Sequence, residues 1–381
     1  MKQLKIILAK KKESDYIMCA KPRVVVAMSG GVDSSLTAAL LVRQGYDVIG
    51  VTMQIWDNTA QTDDTDDRGC CSLSAVDDAR RVAEKIGIPY YVLNFRQMFN
   101  ETVVNYFIDE YSKGQTPNPC IACNRYVKFE GLLQKSLGLG AQFVATGHYA
   151  RIEYDERNKR YLLRKGIDTA KDQSYALYHL NQATLQHFMM PLGVYTKVQT
   201  RAMAAEFGLS VANKPDSQEI CFVPDDDYKS FLEERAPKAL KPGNIVDTNG
   251  VVLGRHKGLP LYTVGQRKGL GIAAGKPMYV VALDRDANKV VVGSNEDVFG
   301  SELIAHDLNF ITVDKLTKPM VVSAKIRYSA KESEAIVTPI GDDQVHVKFS
   351  QPQRAITPGQ SVVFYEDDIV VGGGIITKAI K

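Results

Sequence analysis

Hydrophobic positions in the first half of the chain fall into short blocks of one kind alternating with longer blocks of another. Val24–Met28 is a continuous run rich in β-branched residues, and a glycine turn separates it from apolar residues at helical spacing over Ser34–Arg43. The alternation continues with strand Val48–Met53, helix Ala75–Ile86, strand Tyr90–Phe95, helix Phe99–Tyr111, helix Phe129–Leu137 and strand Phe143–Thr146. Strands that are apolar throughout, rather than at every second position, are buried on both faces, which predicts a parallel sheet covered by helices. In such sheets ligands bind beyond the carboxyl ends of the strands, where the loops gather. A helical zone follows over Leu180–Glu206, and the chain changes character near Pro224. From Gly243 onward short strands alternate with turns such as Asp247-Thr248-Asn249-Gly250, Gly341-Asp342-Asp343 and Thr357-Pro358-Gly359. That pattern predicts two small all-β modules, the second a barrel. The expected layout is an extension without structure over 1–20, an α/β domain over 21–224, a small central mostly-β domain over 225–302, and a C-terminal β-barrel over 303–381. The segment Trp56–Gly69 carries five aspartates and little to pack, and reads as a mobile lid or disordered loop.

Composition narrows the class only a little. With 381 residues, 45% hydrophobic and 24% charged, the chain has the make-up of a globular protein long enough for two or three domains. No apolar stretch approaches the ~18–20 residues that span a bilayer, and Ile6–Ala9 is too short for a signal-peptide core, so no membrane association is expected. Residues 1–17 hold five lysines and no arginine, which argues against an organellar transit peptide and for the cytoplasm. The ordered pattern begins near Lys21, so Met18 is an alternative start. A net charge of +3 suits a polyanionic partner only where the positive charge gathers on one face. Six cysteines occur: Cys19, Cys70, Cys71, Cys120, Cys123 and Cys221. In a cytosolic chain such residues are catalytic or metal-binding more often than structural disulfides.

The first chemical signal lies between the first strand and the first helix, in Ser29-Gly30-Gly31-Val32-Asp33-Ser34-Ser35. Paired glycines let backbone N–H groups face an anion with no Cβ in the way, and the helix behind them adds the positive end of its dipole. Serine hydroxyls can donate to the same phosphate, while Asp33 holds the turn or coordinates a magnesium ion carried with ATP. A plain strand–helix turn capped by Asp33 or Ser34 is the alternative. No Walker A string, G-x-x-x-x-G-K-[ST], occurs anywhere in the chain.

The loop resembles the pyrophosphate-binding loop of the N-type ATP pyrophosphatases, which cleave ATP between the α and β phosphates and adenylate a carbonyl oxygen. Further strings narrow the resemblance to the bacterial and mitochondrial tRNA-specific 2-thiouridylases, from about Lys21 to the C-terminus. They are Ala27-Met28-Ser29-Gly30-Gly31-Val32-Asp33-Ser34, Thr116-Pro117-Asn118-Pro119, Cys123-Asn124, Val127-Lys128-Phe129, Ala145-Thr146-Gly147-His148-Tyr149, Lys171-Asp172-Gln173, Asp216-Ser217, Ile220-Cys221-Phe222 and Gly265-Gln266-Arg267. The resemblance implies an α/β adenylating domain, a small central domain and a C-terminal β-barrel, which is the layout that the pattern predicts. It implies ATP with Mg2+ as cofactor, the adenine end lying near Met53 and Gly147. It implies as substrate the wobble uridine (U34) of tRNAs that accept Lys, Glu and Gln. Sulfur would come from a cysteine-desulfurase relay or from free sulfide.

By the same resemblance, Cys221 receives a persulfide from a donor protein, and Cys123 resolves it as nucleophile, freeing sulfur to attack the adenylated carbon and leaving a disulfide to be reduced. A thiolate is the required species, so both cysteines are expected in a polar, partly exposed setting, and the prolines of Pro117–Asn124 are expected to keep that segment out of a helix. This chain departs from the family pattern at Cys120, where an aspartate is common, which puts the acid role of that position in doubt. Cys120, Cys123 and Cys221 are three thiols that would leave one position open on a [4Fe–4S] cluster. A zinc site is a third reading of the Cys120-x-x-Cys123 pair, although no second pair is evident. Cys70 and Cys71 are spectators or additional sulfur acceptors.

The resemblance places Asn118, Pro119, Cys120, His148, Lys171, Asp172, Gln173, Arg327, Tyr328 and Gln360 against the tRNA. On the residues alone the others read as solvated surface positions, which only the family register raises, and His148 reads equally as a satisfied structural histidine. An extruded anticodon base needs hydrogen-bond partners and a stacking face, and the RNA backbone needs Arg or Lys. Two other classes stay open: another adenylating ligase of the same loop family, which would not need the Cys123–Cys221 pair, and a non-catalytic RNA-binding or sulfur-carrier module with a relic nucleotide site.

Overall fold

The computed structural model describes residues 21–56, 73–216, 220–223 and 227–380. The extension over 1–20 with Cys19, most of the acidic segment, Cys70, Cys71, Ser217 and Pro224 lie outside the described residues. Five strands, β1 (Arg23–Ala27), β2 (Asp47–Gln54), β3 (Tyr90–Asn94), β4 (Phe143–Ala145) and the short β7 (Phe188–Met189), form one all-parallel sheet in the order β3-β2-β1-β4-β7. Val24, Val25 and Val26 of β1 are fully buried, as their uninterrupted apolar run requires for a central strand covered on both faces. Helices α1 (Val32–Arg43) and α2 (Leu73–Ile86) pack with Val24, Val26 and Val48 on one face, while Val25 and Val51 face a second cluster with Phe95, Phe99 and Phe107. The chain runs outward from β1 to β2 and β3, then returns to place β4 on β1's other side. The strand order therefore reverses between β1 and β4, where a ligand crevice opens in such sheets.

Two helical stretches differ from their expected form. The one expected at Phe99–Tyr111 starts earlier, as Arg96–Phe99, widens to π-winding over Asn100–Val104 and ends in Asn105–Ser112. The other reverses the expectation for Pro117–Asn124. Pro119 opens a helix, Pro119–Ala122, which continues π-wound through Cys123–Gly131 and into Leu132–Gly138. Proline at the first helical position loses no hydrogen bond, because that N–H has no partner within the helix, and its fixed φ suits the turn. Asn118 caps the start: its Oδ1 accepts from the backbone N–H of Cys120 at 3.1 Å and of Ile121 at 3.2 Å. Asn118-Pro119 is thus a helix start signal.

After β4 the chain makes a hairpin, β5 (Ala150–Asp155) with β6 (Arg160–Lys165), that leaves the parallel sheet. The central module is a four-stranded sheet of β8 (Gly243–Asp247), β9 (Val252–His256), β10 (Tyr279–Asp284) and β11 (Lys289–Gly293). The last module comprises β12 (Phe299–Phe310), β13 (Met320–Lys325), β14 (Ser333–Ile340), β15 (Gln344–Arg354), β16 (Ser361–Glu366) and β17 (Ile369–Ile380). Pairing of β12 with β17 closes it into a barrel around Leu303, Val337, Val347, Val362 and Phe364. The β5–β6 hairpin extends this sheet through the pairing of β6 with β17, and Arg151 and Arg164 both grip Asp368 at the β16–β17 turn. Arg125, two residues past Cys123, forms a forked ion pair with Asp307 of β12 at 2.5 and 3.3 Å. Among the described residues no helix is long and apolar enough to cross a membrane.

The barrel also touches the cysteine segment directly. Gly359, with φ +89°, sits where a Cβ would lie 2.8 Å from the backbone nitrogen of Thr116, which donates to the Pro358 carbonyl at 2.9 Å. Gln360 Nε2 donates to the carbonyl of Thr116 at 2.8 Å. Gly359→Ala should therefore cost on the order of 1–3 kcal/mol through its left-handed φ and the clash. It should also speed alkylation of Cys123. Gly341→Ala, equally left-handed at φ +61° but with nothing within 4 Å of a Cβ, is the control and should leave that alkylation rate unchanged. Thermal denaturation and peptide mass spectrometry of alkylated protein measure the two effects, and equal labelling in both variants would disprove the clamp.

Candidate active site

The glycine-rich loop occupies the crevice at the reversal of strand order. Gly30 has φ +69°, and a Cβ there would run into the carbonyl of Ala75 on α2, so both its conformation and its neighbour require glycine. Gly31 is the N-cap of α1 and brings no side-chain acceptor to the first-turn N–H groups. A Cβ at Gly31 would meet only Ser29 Oγ, at 3.7 Å, so the space over the loop is open. Ser34 Oγ accepts from the Ser29 N–H at 3.1 Å and donates to the Gly31 carbonyl at 3.3 Å, which fixes the loop's curl. Met28 and Val32 are buried beneath it, Ala27 and Met53 are partly buried against the core, and Ser29 is exposed. From the other side of the crevice comes Gly147, whose hypothetical Cβ would lie 2.9 Å from the backbone of Asp33 and the nitrogen of Ser34. Uncapped N–H groups, an open cradle and a helix dipole fit a nucleotide's phosphates.

Asp33 holds the turn. Both its oxygens accept from the Lys197 ammonium at 2.8 Å, and Oδ1 also accepts from the Tyr149 hydroxyl at 2.8 Å. Lys197, 9% exposed, also reaches Asp216 Oδ1 at 2.7 Å. Asp216 further accepts from Lys171 at 2.8 Å and Arg201 at 3.0 Å. Burial pushes the Asp216 carboxyl up, but hydrogen bonds from Lys171 and Lys197 outweigh it and hold it below the usual range. Sequence reasoning gave no role to Lys197, Arg201 or Tyr149. The Thr196-x-x-Gln199 capping box marks the start of helix Lys197–Glu206, but nothing local tells that Lys197 reaches a loop far back in the chain.

The cysteines are not equivalent. Cys120 is exposed on the first turn of its helix, and Cys221 is half-buried. Cys123 is 9% exposed and packs into the main core with Ile121, Ala122, Val127 and Phe129, contrary to the polar, open setting expected for it. The burial follows from the helix: Cys120 and Cys123 are one turn apart, and the second is carried inward by the apolar face of Cys123–Gly131. Cys221 is positioned by its neighbour Phe222, which is buried edge-on among Phe107, Phe99 and Phe231 at centroid distances of 5.2, 5.7 and 5.5 Å. Among the described residues no three His, Cys, Asp or Glu side chains assemble as a metal-binding group. The donor set of a cluster or zinc ion is thus not gathered here, and no step below passes through one.

The residues expected at tRNA divide into two kinds. Asp172 caps its own turn, accepting from the Gly166 and Ser174 N–H groups at 3.0 and 3.2 Å, and Gln173 Oε1 accepts from the Tyr149 N–H at 2.9 Å. Asn118, Pro119 and Gln360 build and clamp the cysteine helix as described above. Tyr328, 48% exposed, donates to the Asp172 carbonyl at 3.2 Å and so brings Arg327-Tyr328 of the barrel to Lys171-Asp172-Gln173 of the α/β domain. Arg327 is half-buried beside Arg354, and burial followed by that like charge lowers its pKa. His148 Nδ1 is 2.8 Å from Thr146 Oγ1, and burial, then Lys128 and His179, bring its pKa down to about 3, so it stands as a neutral imidazole.

A phosphate-shaped loop at the switch point of a parallel sheet, with thiols on a barrel-clamped helix, defines a nucleotide-dependent enzyme with an attached β-barrel. Residues 22–225 match the family described as tRNA methyl transferase HUP domain, residues 229–294 the tRNA methyl transferase PRC-barrel domain, and residues 300–376 the aminomethyltransferase beta-barrel domain. The tRNA-specific 2-thiouridylase MnmA of Acetivibrio thermocellus is 62% identical over 357 residues, covering 94% of this chain and 99% of the relative. The tRNA-specific 2-thiouridylase MnmA 1 of Thermoanaerobacter pseudethanolicus is 60% identical over 359 residues, again covering 94% and 99%. The MnmA 2 of Caldanaerobacter subterraneus subsp. tengcongensis is 59% identical with the same coverage. The chain belongs to the tRNA-specific 2-thiouridylase family.

His179 gives this region a measurable pH signature. Its two ring nitrogens are buried with no hydrogen-bond partner among the described residues, and burial, then Arg125, bring its pKa down to about 3. Between about pH 6.5 and 3 the unfolded chain binds protons that folded His148 and His179 do not, so stability falls as pH drops through that window. His179→Phe should remove up to about one proton from that slope and raise the melting temperature relative to wild type at pH 5. Calorimetric scans from pH 7.5 to 5 test this, and identical slopes in the two proteins would contradict it.

Proposed function

We propose that this chain is an ATP-dependent tRNA sulfurtransferase that adenylates the C2 oxygen of the wobble uridine and replaces that oxygen with sulfur, acting in the cytoplasm. The observation that carries the proposal is the glycine-built phosphate cradle at the β1/β4 switch point, in a chain that aligns nearly end to end with 2-thiouridylases. A carbonyl oxygen is a poor leaving group and AMP a good one. The uridine oxygen attacks the α-phosphorus of ATP, and pyrophosphate departs onto the loop, whose first-turn N–H groups and α1 dipole stabilise its charge. Magnesium carried with ATP would supply countercharge to its phosphates.

Sulfur then arrives as a persulfide on Cys221, the half-buried thiol, delivered by a persulfide donor. Attack of the Cys123 thiolate on the Cys221 sulfur forms a Cys123–Cys221 disulfide and expels hydrosulfide. Hydrosulfide adds to C2, AMP leaves, and an external dithiol reduces the disulfide. Cys123 lies in the core cluster against which Cys221 packs. Free sulfide entering directly is the alternative sulfur source, and it would bypass Cys221. Arg327, Lys171 and the exposed face of Tyr328 form the proposed landing surface for the tRNA backbone and a stacked base.

The test combines purified protein, tRNA transcript and ATP, with AMP release and thiolated nucleoside both measured. Asp33→Ala and Ser34→Ala should each lower tRNA-dependent AMP release by about a hundredfold or more while leaving tRNA affinity nearly unchanged. With a persulfide donor, Cys221→Ser should release AMP but form no thiolated product, and Cys120→Ser should keep most activity. Normal turnover by the two loop variants would disprove the nucleotide site. Loss of all activity in Cys120→Ser would disprove the two-thiol relay.

A further inference from the structure

We propose that Lys197 is a positioning residue that links the two half-reactions, holding Asp33 in the phosphate loop and Asp216, which lies five positions before Cys221 in the chain. The inference rests on the functional reading above. An ammonium has three N–H donors. In Lys197 they meet Asp33 Oδ1 and Oδ2 at 2.8 Å and Asp216 Oδ1 at 2.7 Å. A lysine this buried needs its charge paired, and here two carboxylates from different parts of the chain share it. One lies in the first turn of α1, and the other lies five positions before Cys221.

The root of Lys197 is fixed. Thr196 caps the helix in a reciprocal box with Gln199, and the Lys197 N–H donates to Asp168 Oδ2 at 2.8 Å. The Tyr149 hydroxyl bridges Asp33 Oδ1 at 2.8 Å to Thr200 Oγ1 at 3.1 Å, one turn along the same helix, so Asp33 is tied to this helix twice. Movement of the ammonium must therefore show at its carboxylates rather than at its backbone. The charges are poised for it: two carboxylates, Asp33 and Asp216, stand among three cations, Lys171, Lys197 and Arg201. Asp168, whose Oδ2 accepts from the Lys197 N–H, brings a third carboxylate, so cations and carboxylates balance until a phosphate arrives. An arriving triphosphate competes with Asp33 for the nearest buried cation, and Lys197 cannot shift toward it without altering its grip on Asp216. Nucleotide occupancy is thereby transmitted to the cysteine segment without contact between ATP and the thiol.

The test follows alkylation of Cys221 in full-length protein by peptide mass spectrometry, with and without an ATP analogue that cannot be cleaved between the α and β phosphates. In wild type the analogue should change the rate by about fivefold, the size of an ordinary coupling between two sites. Lys197→Met and Asp216→Asn should each abolish that response, and Lys197→Arg should keep most of it. The KM for ATP separates the two links: Lys197→Met should raise it by about tenfold, whereas Asp216→Asn, which leaves Asp33 paired, should not change it. A wild-type protein that releases AMP but whose Cys221 rate ignores the analogue would overturn the coupling. So would an Asp216→Asn protein with an intact response. Absence of tRNA-dependent AMP release in wild type would instead overturn the functional reading.

Discussion

A Cβ on Gly147 would lie 2.9 Å from the backbone of Asp33 and from the nitrogen of Ser34, so the loop after β4 and the first turn of α1 meet at a distance that only glycine permits. On the other flank Gly30 takes a left-handed turn against α2, where a side chain would collide with Ala75. Between these two contacts the loop runs at the crevice made by the reversal of strand order between β1 and β4. The buried pairing of Asp33 with Lys197 and Tyr149 locks that path from below. Nucleotide chemistry in this chain therefore rests on backbone geometry, with the charged side chains holding the backbone in place.

The thiols are held by different means and by other parts of the chain. The helix with Cys120 and Cys123 begins at Pro119, is capped by Asn118, and is clamped from outside by Gly359 and Gln360 of the barrel. Cys221 is placed by Phe222, which anchors a short turn in a cluster of aromatic rings. The barrel is thus more than an appended module, since its β16 approach turn sets the cysteine helix, and β6 extends its sheet from within the α/β domain. Tyr328 closes a third link by joining the barrel to the Lys171–Gln173 turn.

The parallel sheet was legible because strands buried on both faces leave continuous apolar runs, and the phosphate loop because its glycines fall between such a run and a helix. What escaped sequence reading depends on distant partners. Pro119 looked like a helix breaker, and only the cap from Asn118 turns it into a helix start. Cys123 looked like an open nucleophile, yet the helix that Pro119 begins rotates it into the core. The β5–β6 hairpin joins β17, and Lys197 joins Asp33, across separations that no local pattern encodes. Gln360 likewise bonds across a long separation, its amide donating to the carbonyl of Thr116.

The most direct test of the account is mass spectrometry of nucleosides from the tRNA of cells that lack this chain. Wobble uridines bearing sulfur at C2 should disappear and return with the wild-type gene, but not with a Ser34→Ala copy whose loop cannot hold its curl. Normal 2-thiouridine in the deletion strain, or full restoration by the Ser34→Ala copy, would contradict it.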